Sequence, residues 1–386
     1  MKSKTLQEQI ANFYKETGYR LEVKDGKPYY SGSLAPRHKK ITNLPDNLVV
    51  GGSLNLIATK IVELPDNLVV GRNLDLRHTT ITKLPQNLVV GGSLSLNATK
   101  ITKLPDNLIV GGFLGLATTN ISELPENLVV GGGFDLVDTK ITKLPENLVV
   151  GGFLDLCGTK ITKLPDNLVV GAWLDFNNPK ITKLPENLIV GGWVNLGGTK
   201  ITKLPKNLVV GGSIYGISTT PITPALSEDA KKKLQKIGDF LEWNVGDKTY
   251  IKTDGIFSVV DSHKGNVWVS HRIGTNETLY VVTDGEGHYA HGNTLKEAKA
   301  DLIYKINDRN TSSYENLSLD NELSFEEAIA MYRTITGACS VGTRDFVENR
   351  LAEPHKKKYT IKEIIDLTDG EYGSESLKEF FKVSNR

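Results

Sequence analysis

The chain has 386 residues, enough for two or three domains, and sets 46 Lys and Arg against 45 Asp and Glu for a formal net charge of +1. No whole-molecule field therefore draws it to nucleic acid or to an anionic membrane, and any such attraction must be local. Two distant cysteines, Cys157 and Cys339, suit a reducing compartment rather than a disulfide-stapled secreted fold. The polar first ten residues lack the apolar block of a Sec-type signal, and no apolar run approaches the roughly 20 residues that span a bilayer. The expectation is a soluble cytoplasmic protein that does not engage a membrane.

Residues 1–40 read as a cap. Leu6, Ile10 and Phe13 are spaced for one helical face, and residues 29–34 read as a degenerate first strand. From residue 41 to residue 222 a 20-residue unit repeats. Ile61, Leu64, Pro65, Asn67, Leu68, Val70, Gly71, Leu74, Leu76 and Thr79 return as Ile101, Leu104, Pro105, Asn107, Leu108, Val110, Gly111, Leu114, Leu116 and Thr119. A period of that length marks a solenoid, in which each unit buries its apolar face only by stacking on its neighbours.

Within a unit, Leu54 and Leu56 alternate with Ser53, Asn55 and Ile57, which predicts a short strand with both leucines turned inward. Pro65 and its equivalents forbid a helix interior, so the return path is expected to be irregular or polyproline-like. The Asn column (Asn47, Asn67 and onward) reads as a stabilising asparagine ladder whose amides can bond turn backbone, and the Thr column (Thr59, Thr79 and onward) is expected to do so after the strand. Pro179 interrupts the Thr column. Gly71 and its counterparts predict a tight or positive-φ approach to the strand.

Leu-Pro-x-Asn-Leu followed by a Leu-x-Leu strand resembles the short bacterial leucine-rich repeat, over a little under half the chain. The resemblance implies a curved horseshoe with a parallel sheet on its concave face that binds other macromolecules. This chain carries Thr where that family usually has Asn after the strand.

The positions between the leucines are where the repeats differ. One outward column holds Phe113, Gly133, Phe153, Trp173 and Trp193, and the next holds Asp135, Asp155, Asp175 and Tyr215. Neighbouring strands lie about 4.8 Å apart, so the aromatics are expected to stack beside an acidic stripe. Exposed aromatics on adjacent units have the composition of an interface hot spot, and the acids favour a basic partner. The alternative is that the rings cover one another and the carboxylates keep the sheet soluble. The Lys rows of the other side, including Lys103, Lys143 and Lys163, alternate with acids, which suits a solvated face better than a nucleic-acid track.

Past residue 222 the period ends. Residues 223–310 read as a small α+β module, with a helix over 227–237, strands over 249–253, 256–261, 267–272 and 278–283, a strand at 288–290, and a capping box at Thr294 and Glu297 that opens a helix. The run around Tyr289–Ala298 resembles the strand-to-helix junction of HicB-like antitoxin domains, over too short a stretch to imply function. Residues 311–386 read as a helical tail with capping boxes at Ser324 and Thr360, a break at Gly337, and a last helix from Ser374. Two helix-turn-helix-like spacings fall there, across Gly337 and across Asp369 and Gly370.

For chemistry, Cys339 lies near a predicted helix start, with His355 as the base within sequence reach. A small buried residue at a helix junction is the stronger reading, and nothing around Cys339 matches the motif of bacterial leucine-rich-repeat effectors with a cysteine ubiquitin-ligase domain. His263, His271, His288 and His291 lack metal-ligand spacing. Lys356, Lys357 and Lys358 precede a helix start and form a candidate anion site, against the plainer reading of a charged linker.

The sequence therefore points to an α+β multidomain protein, a capped leucine-rich-repeat solenoid with a parallel concave sheet, then an α+β module and a helical tail. It reads as a non-catalytic binder, with no cofactor or metal, that captures a basic or apolar protein or peptide on the concave face of the horseshoe, with the C-terminal half as a second interaction or regulatory module. The contact residues are Phe113, Phe153, Trp173, Trp193, Asp135, Asp155, Asp175 and Tyr215. The rivals are a nucleic-acid-associated regulator acting through the tail and a cysteine-dependent effector enzyme.

Overall fold

The computed structural model describes the chain apart from residues 1–4, 37–40, 127, 147, 167, 178–179, 218–239, 246–247, 255, 274, 276, 307–308, 350, 352–354, 370–372 and 383–386. The expected helix over 227–237, Pro179 and Thr219 lie outside the described residues. Two compact units emerge, one of residues 1–250 with 272–276, the other of residues 251–271 with 277–386.

The first unit is a parallel β-solenoid of leucine-rich repeats. Two-residue strands such as Leu54–Asn55, Leu74–Asp75 and Leu94–Ser95 pair in parallel at a register of one repeat, Leu54 opposite Leu74 and Leu74 opposite Leu94. Nine of them form one sheet. The inward columns are fully enclosed, with Leu54, Leu56, Ile61, Leu68 and Val70 all at 0% exposure. Each such side chain is worth roughly 1.5–3 kcal/mol relative to exposure, and it reaches that state only because the next repeat covers it.

The return path corrects one expectation. It is irregular around Pro65, as proline dictates, but the valines that follow form a second parallel ladder, Val49 and Val50 opposite Val69 and Val70 and so on along the array. The fixed glycine also acts differently from the expectation. Gly71, Gly91, Gly131 and Gly191 do not adopt positive φ. The chain does bend tightly at these glycines, and a Cβ at any of them would collide with the carbonyl oxygen of the glycine one repeat earlier, so the column permits successive backbones to approach.

The left-handed position falls instead just before the Thr column, at Ala58, His78, Ala98, Thr118 and Asp138 (φ +53° to +59°) and at Gly158 and Gly198 (φ +70° and +73°). The Thr59 N–H closes the turn onto the Leu56 carbonyl at 3.1 Å, giving type II character. The Thr59 hydroxyl donates to the same carbonyl at 2.7 Å, and Thr79, Thr99, Thr119, Thr139, Thr159 and Thr199 repeat that bond. The threonines thus bond backbone as expected. The asparagine ladder also forms at the start of the array, but side chain to side chain: Asn67 Nδ2 donates to Asn47 Oδ1 at 3.0 Å and Asn87 Nδ2 to Asn67 Oδ1 at 3.4 Å.

The N-terminal cap forms from helix α1 (Leu6–Thr17), opened by a Thr5–Glu8 capping box and closed by left-handed Gly18. Phe13 enters the core at 3% exposure. Tyr29 and Tyr30 pair with Val49 and Val50, while Leu34 bridges to Leu54, so the degenerate first strand serves both ladders.

Farther along, strands Phe240–Val245, Lys248–Thr253, Ile256–Lys264, Val267–Arg272, Thr278–Thr283 and Tyr289–Gly292 follow one another in sheet order. The last three pair antiparallel. Helix α2 (Leu295–Ile306) then packs Ala298 and Leu302 against Val282 and Ala290. In the tail, α3 (Phe325–Thr336) and α5 (Ile361–Leu367) open on full capping boxes at Ser324 and Thr360, with α4 (Ser340–Asn349) between them and α6 (Ser374–Phe380) last. A two-stranded ladder of Glu322–Ser324 with Lys358–Thr360 was not legible in the sequence, because three-residue strands carry no period.

Candidate functional site

In the solenoid, Leu54 and its equivalents point into the core, so the residues on either side face outward. The outward aromatics form one continuous pile. Phe153 and Trp173 stack with centroids 4.2 Å apart and planes 5° apart, Trp173 and Trp193 at 4.9 Å and 1°, and Tyr215 closes edge-on to Trp193 at 6.3 Å. Phe113 and Phe153 are two repeats apart, yet their centroids lie at 5.8 Å. Gly133 explains this, since a Cβ there would strike the Phe153 ring, and the missing side chain lets the flanking rings lean together. The signal was the glycine itself, standing between Phe113 and Phe153 in the aromatic stretch of the column.

The rings cover one another's faces and are half-buried, whereas Tyr215 remains 43% exposed. What the pile shows to solvent is therefore mainly ring edges. The faces that attract cations are accessible only at its two ends.

The acidic column has a local task that sequence reasoning missed. Asp135 Oδ1 accepts the Val137 N–H and Asp155 Oδ1 the Cys157 N–H, each at 3.0 Å, so these carboxylates cap the turn after their strand. Asp175 instead accepts the Asn195 amide at 3.1 Å and the Cys157 thiol at 3.4 Å. Asp135, Asp155 and Asp175 stand directly opposite one another in register, an arrangement of like charges that costs stability in a free sheet. Burial, and secondarily the charge of Asp155, raises the Asp135 carboxyl despite the Val137 bond. Burial, then Asp155 and Asp175, pushes the Cys157 thiol far up.

The candidate anion site in the tail is already partnered. Lys356 Nζ meets Glu363 Oε1 at 2.6 Å, and Lys358 Nζ lies 3.6 Å from Glu322. Glu363 also accepts the Thr360 N–H, so the helix start that would have received an anion is capped by its own side chains. Lys357 is exposed.

In the second unit, His291 rather than His355 is the ring beside Cys339. His355 stacks on Phe325 at 5.1 Å. His271 pairs with Asp261, His288 with Asp284, and His263 stacks on Trp268, so these three serve separate contacts. Among the described residues, the one group of three with convergent ligand-type atoms is Asp254, His291 and Cys339, all buried and within 4.8 Å of one another. Sequence reading singled out Cys339 and His291 separately but did not join them or add Asp254, because the three lie on a helix start, a strand and a turn.

Among the described residues no helix is long and apolar enough to cross a membrane. No protein-family model matches the chain, and no curated protein matches it. Among solved structures, YopM from Yersinia enterocolitica WA-314 is similar at 17% identity over 51% of this chain and 67% of that one, with a TM-score of 0.20. The parallel ladders and enclosed leucine columns, in register every 20 residues, define the leucine-rich-repeat solenoid on their own.

Proposed function

We propose that the solenoid is a binding module that captures a protein or peptide segment along the outward face of its Leu-x-Leu sheet. The observation that carries this reading is the unbroken pile from Phe113 to Tyr215 running beside Asp135, Asp155 and Asp175. The ring edges offer a long apolar ridge for aliphatic or aromatic side chains. The carboxylates, which repel one another when the face is empty, favour a segment that brings Lys or Arg. Cations would pair with the carboxylates rather than the rings, since the ring faces are mutually covered.

The solenoid acts in this reading by binding rather than chemistry. Selection from a random peptide library tests it. Enriched peptides should carry basic residues next to apolar ones and should lose a few kcal/mol of affinity against a Trp173→Ala/Trp193→Ala variant. Equal enrichment on that variant would exclude this face. The nucleic-acid reading instead requires salt-dependent retention on duplex DNA that disappears when Lys356, Lys357 and Lys358 are neutralised together.

A further inference from the structure

The acidic column shows in one repeat the contact that it lacks in three others. At Asp75 the chain supplies its own cation, with Arg77 Nε 3.0 Å from Oδ1 and Nη2 2.7 Å from Oδ2, so a guanidinium closes on both oxygens of the carboxylate. The residues in the place of Arg77 after Asp135, Asp155 and Asp175 are Val137, Cys157 and Asn177, none of which carries positive charge. Among the described residues these three acids meet only the Val137 and Cys157 amides, the Cys157 thiol and the Asn195 side chain. A segment that docks here therefore completes the column by bringing arginine, whose planar fork matches a carboxylate as the point charge of lysine does not.

Spacing then limits the shape of that segment. Asp135, Asp155 and Asp175 pair in direct register, so neighbouring carboxylates stand about 4.8 Å apart and the three span about 10 Å. On an α-helix the residues i, i+3 and i+7 share one face and span about 10.5 Å. On an extended segment the residues of one face alternate, and three of them span about 13 Å. A helix lying along the array keeps pace with the acids, whereas a strand slips by most of one repeat.

Hydrogen bonding points the same way. An extended segment carries an unpaired carbonyl at every residue, and the carboxylates beneath it only accept. The pile offers it three side-chain donors, the indole N–H groups of Trp173 and Trp193 and the Tyr215 hydroxyl. A helix pairs its backbone internally and asks for none. Its width also fits, since the aromatic and acidic columns lie two residues apart on each strand, about 7 Å, and a helix with its side chains is about 10–12 Å across.

Resting on the binding role given above, we propose that the segment taken by the solenoid is an amphipathic α-helix aligned with the array. Arginines at i, i+3 and i+7 lie on Asp135, Asp155 and Asp175, and an apolar stripe lies on the ring edges. The pile from Phe113 to Tyr215 crosses five strand steps, about 24 Å, which sets the docked length at about 16 residues. This is recognition of a helix by a face rather than addition of a strand to an edge.

The test uses the full chain and synthetic peptides of about 18 residues with blocked ends, titrated calorimetrically at physiological salt. One peptide carries arginine and leucine on adjacent helical stripes in an alanine background. Another holds the same arginines and leucines at alternate positions, with two alanines replaced by proline to forbid a helix. The helical peptide should bind about tenfold tighter or more and gain helix by circular dichroism on binding. It should weaken about tenfold against Trp173→Ala/Trp193→Ala and against Asp155→Asn, and about threefold when its arginines become lysines. Asp155→Asn keeps an oxygen for the Cys157 amide, so it decides if the double Trp variant does not fold. An extended peptide that binds as tightly as the helical one, with both lost on the variants, would overturn the helical partner and leave the face as a binder. Failure of both peptides to bind, or binding untouched by the folded variants, would overturn the face itself.

Discussion

The two units bury polar groups by opposite means. In the solenoid the described threonines of the column, Thr59 to Thr159 and Thr199, each find an acceptor three residues back in their own turn, so the bond is local and recurs from repeat to repeat. In the second unit the buried carboxylate of Asp254 is satisfied by Lys305, 51 residues away, and by His291, 37 residues away. Local satisfaction makes an array tolerant, because losing one bond leaves its copies intact. Long-range satisfaction makes a site, because each member is irreplaceable.

Substitutions should separate the two designs. The largest effect is expected from Lys305→Met, which strands the Asp254 carboxylate in the interior and should destabilise the second unit by about 3–5 kcal/mol near neutral pH in urea titrations. The folded-state carboxyl lies below its ordinary value, so the wild-type contribution is present above the unfolded-state pKa and is lost as pH falls through the folded one. The gap between wild type and variant should therefore close in acid. A gap that stays constant with pH would mean that Lys305 acts by packing alone.

Leu154→Ala empties an enclosed position in mid-array and should cost about 2–5 kcal/mol in the same titration. A broadened transition would show that the repeats have uncoupled around the cavity. Thr139→Val keeps the shape but removes the hydroxyl, and should cost only about 0.5–1.5 kcal/mol because the Leu136 carbonyl still accepts the Thr139 amide at 3.2 Å. A larger loss would mean that the Thr column is cooperative.

Asp135→Asn is expected to have the smallest effect, and a stabilising one. The raised carboxyl binds its proton more tightly in the folded state, so ionisation costs stability as pH rises through the interval between the unfolded and folded values. The Asn variant should melt slightly higher than wild type at neutral pH and lose that advantage in acid. If it melts lower at every pH, the turn-capping bond outweighs the relief of repulsion from Asp155.

The same contrast governs what could be read in advance. The Leu-x-Leu strand, the enclosed Leu and Ile columns, the Thr turn bond and the outward aromatics all follow from a period of 20, which fixes neighbours without knowledge of the fold. The valine ladder and the role of Gly71 were missed because both depend on how closely successive backbones approach. The ring contact over Gly133 was missed because it depends on a side chain that is absent.

In the second unit the capping boxes at Ser324 and Thr360 were legible, since each spans four residues, and so were most strands and helices. The pairing of Cys339 was not. His355 is nearer in sequence, and only the sheet brings His291 to the thiol. The sequence by itself determined the solenoid, since a repeated unit that cannot cover its own leucines must stack on its copy. Only the tertiary structure decided the buried Asp254–His291–Cys339 set, because its members belong to separate elements and a low-dielectric interior holds them together only when Lys305 arrives to balance the charge.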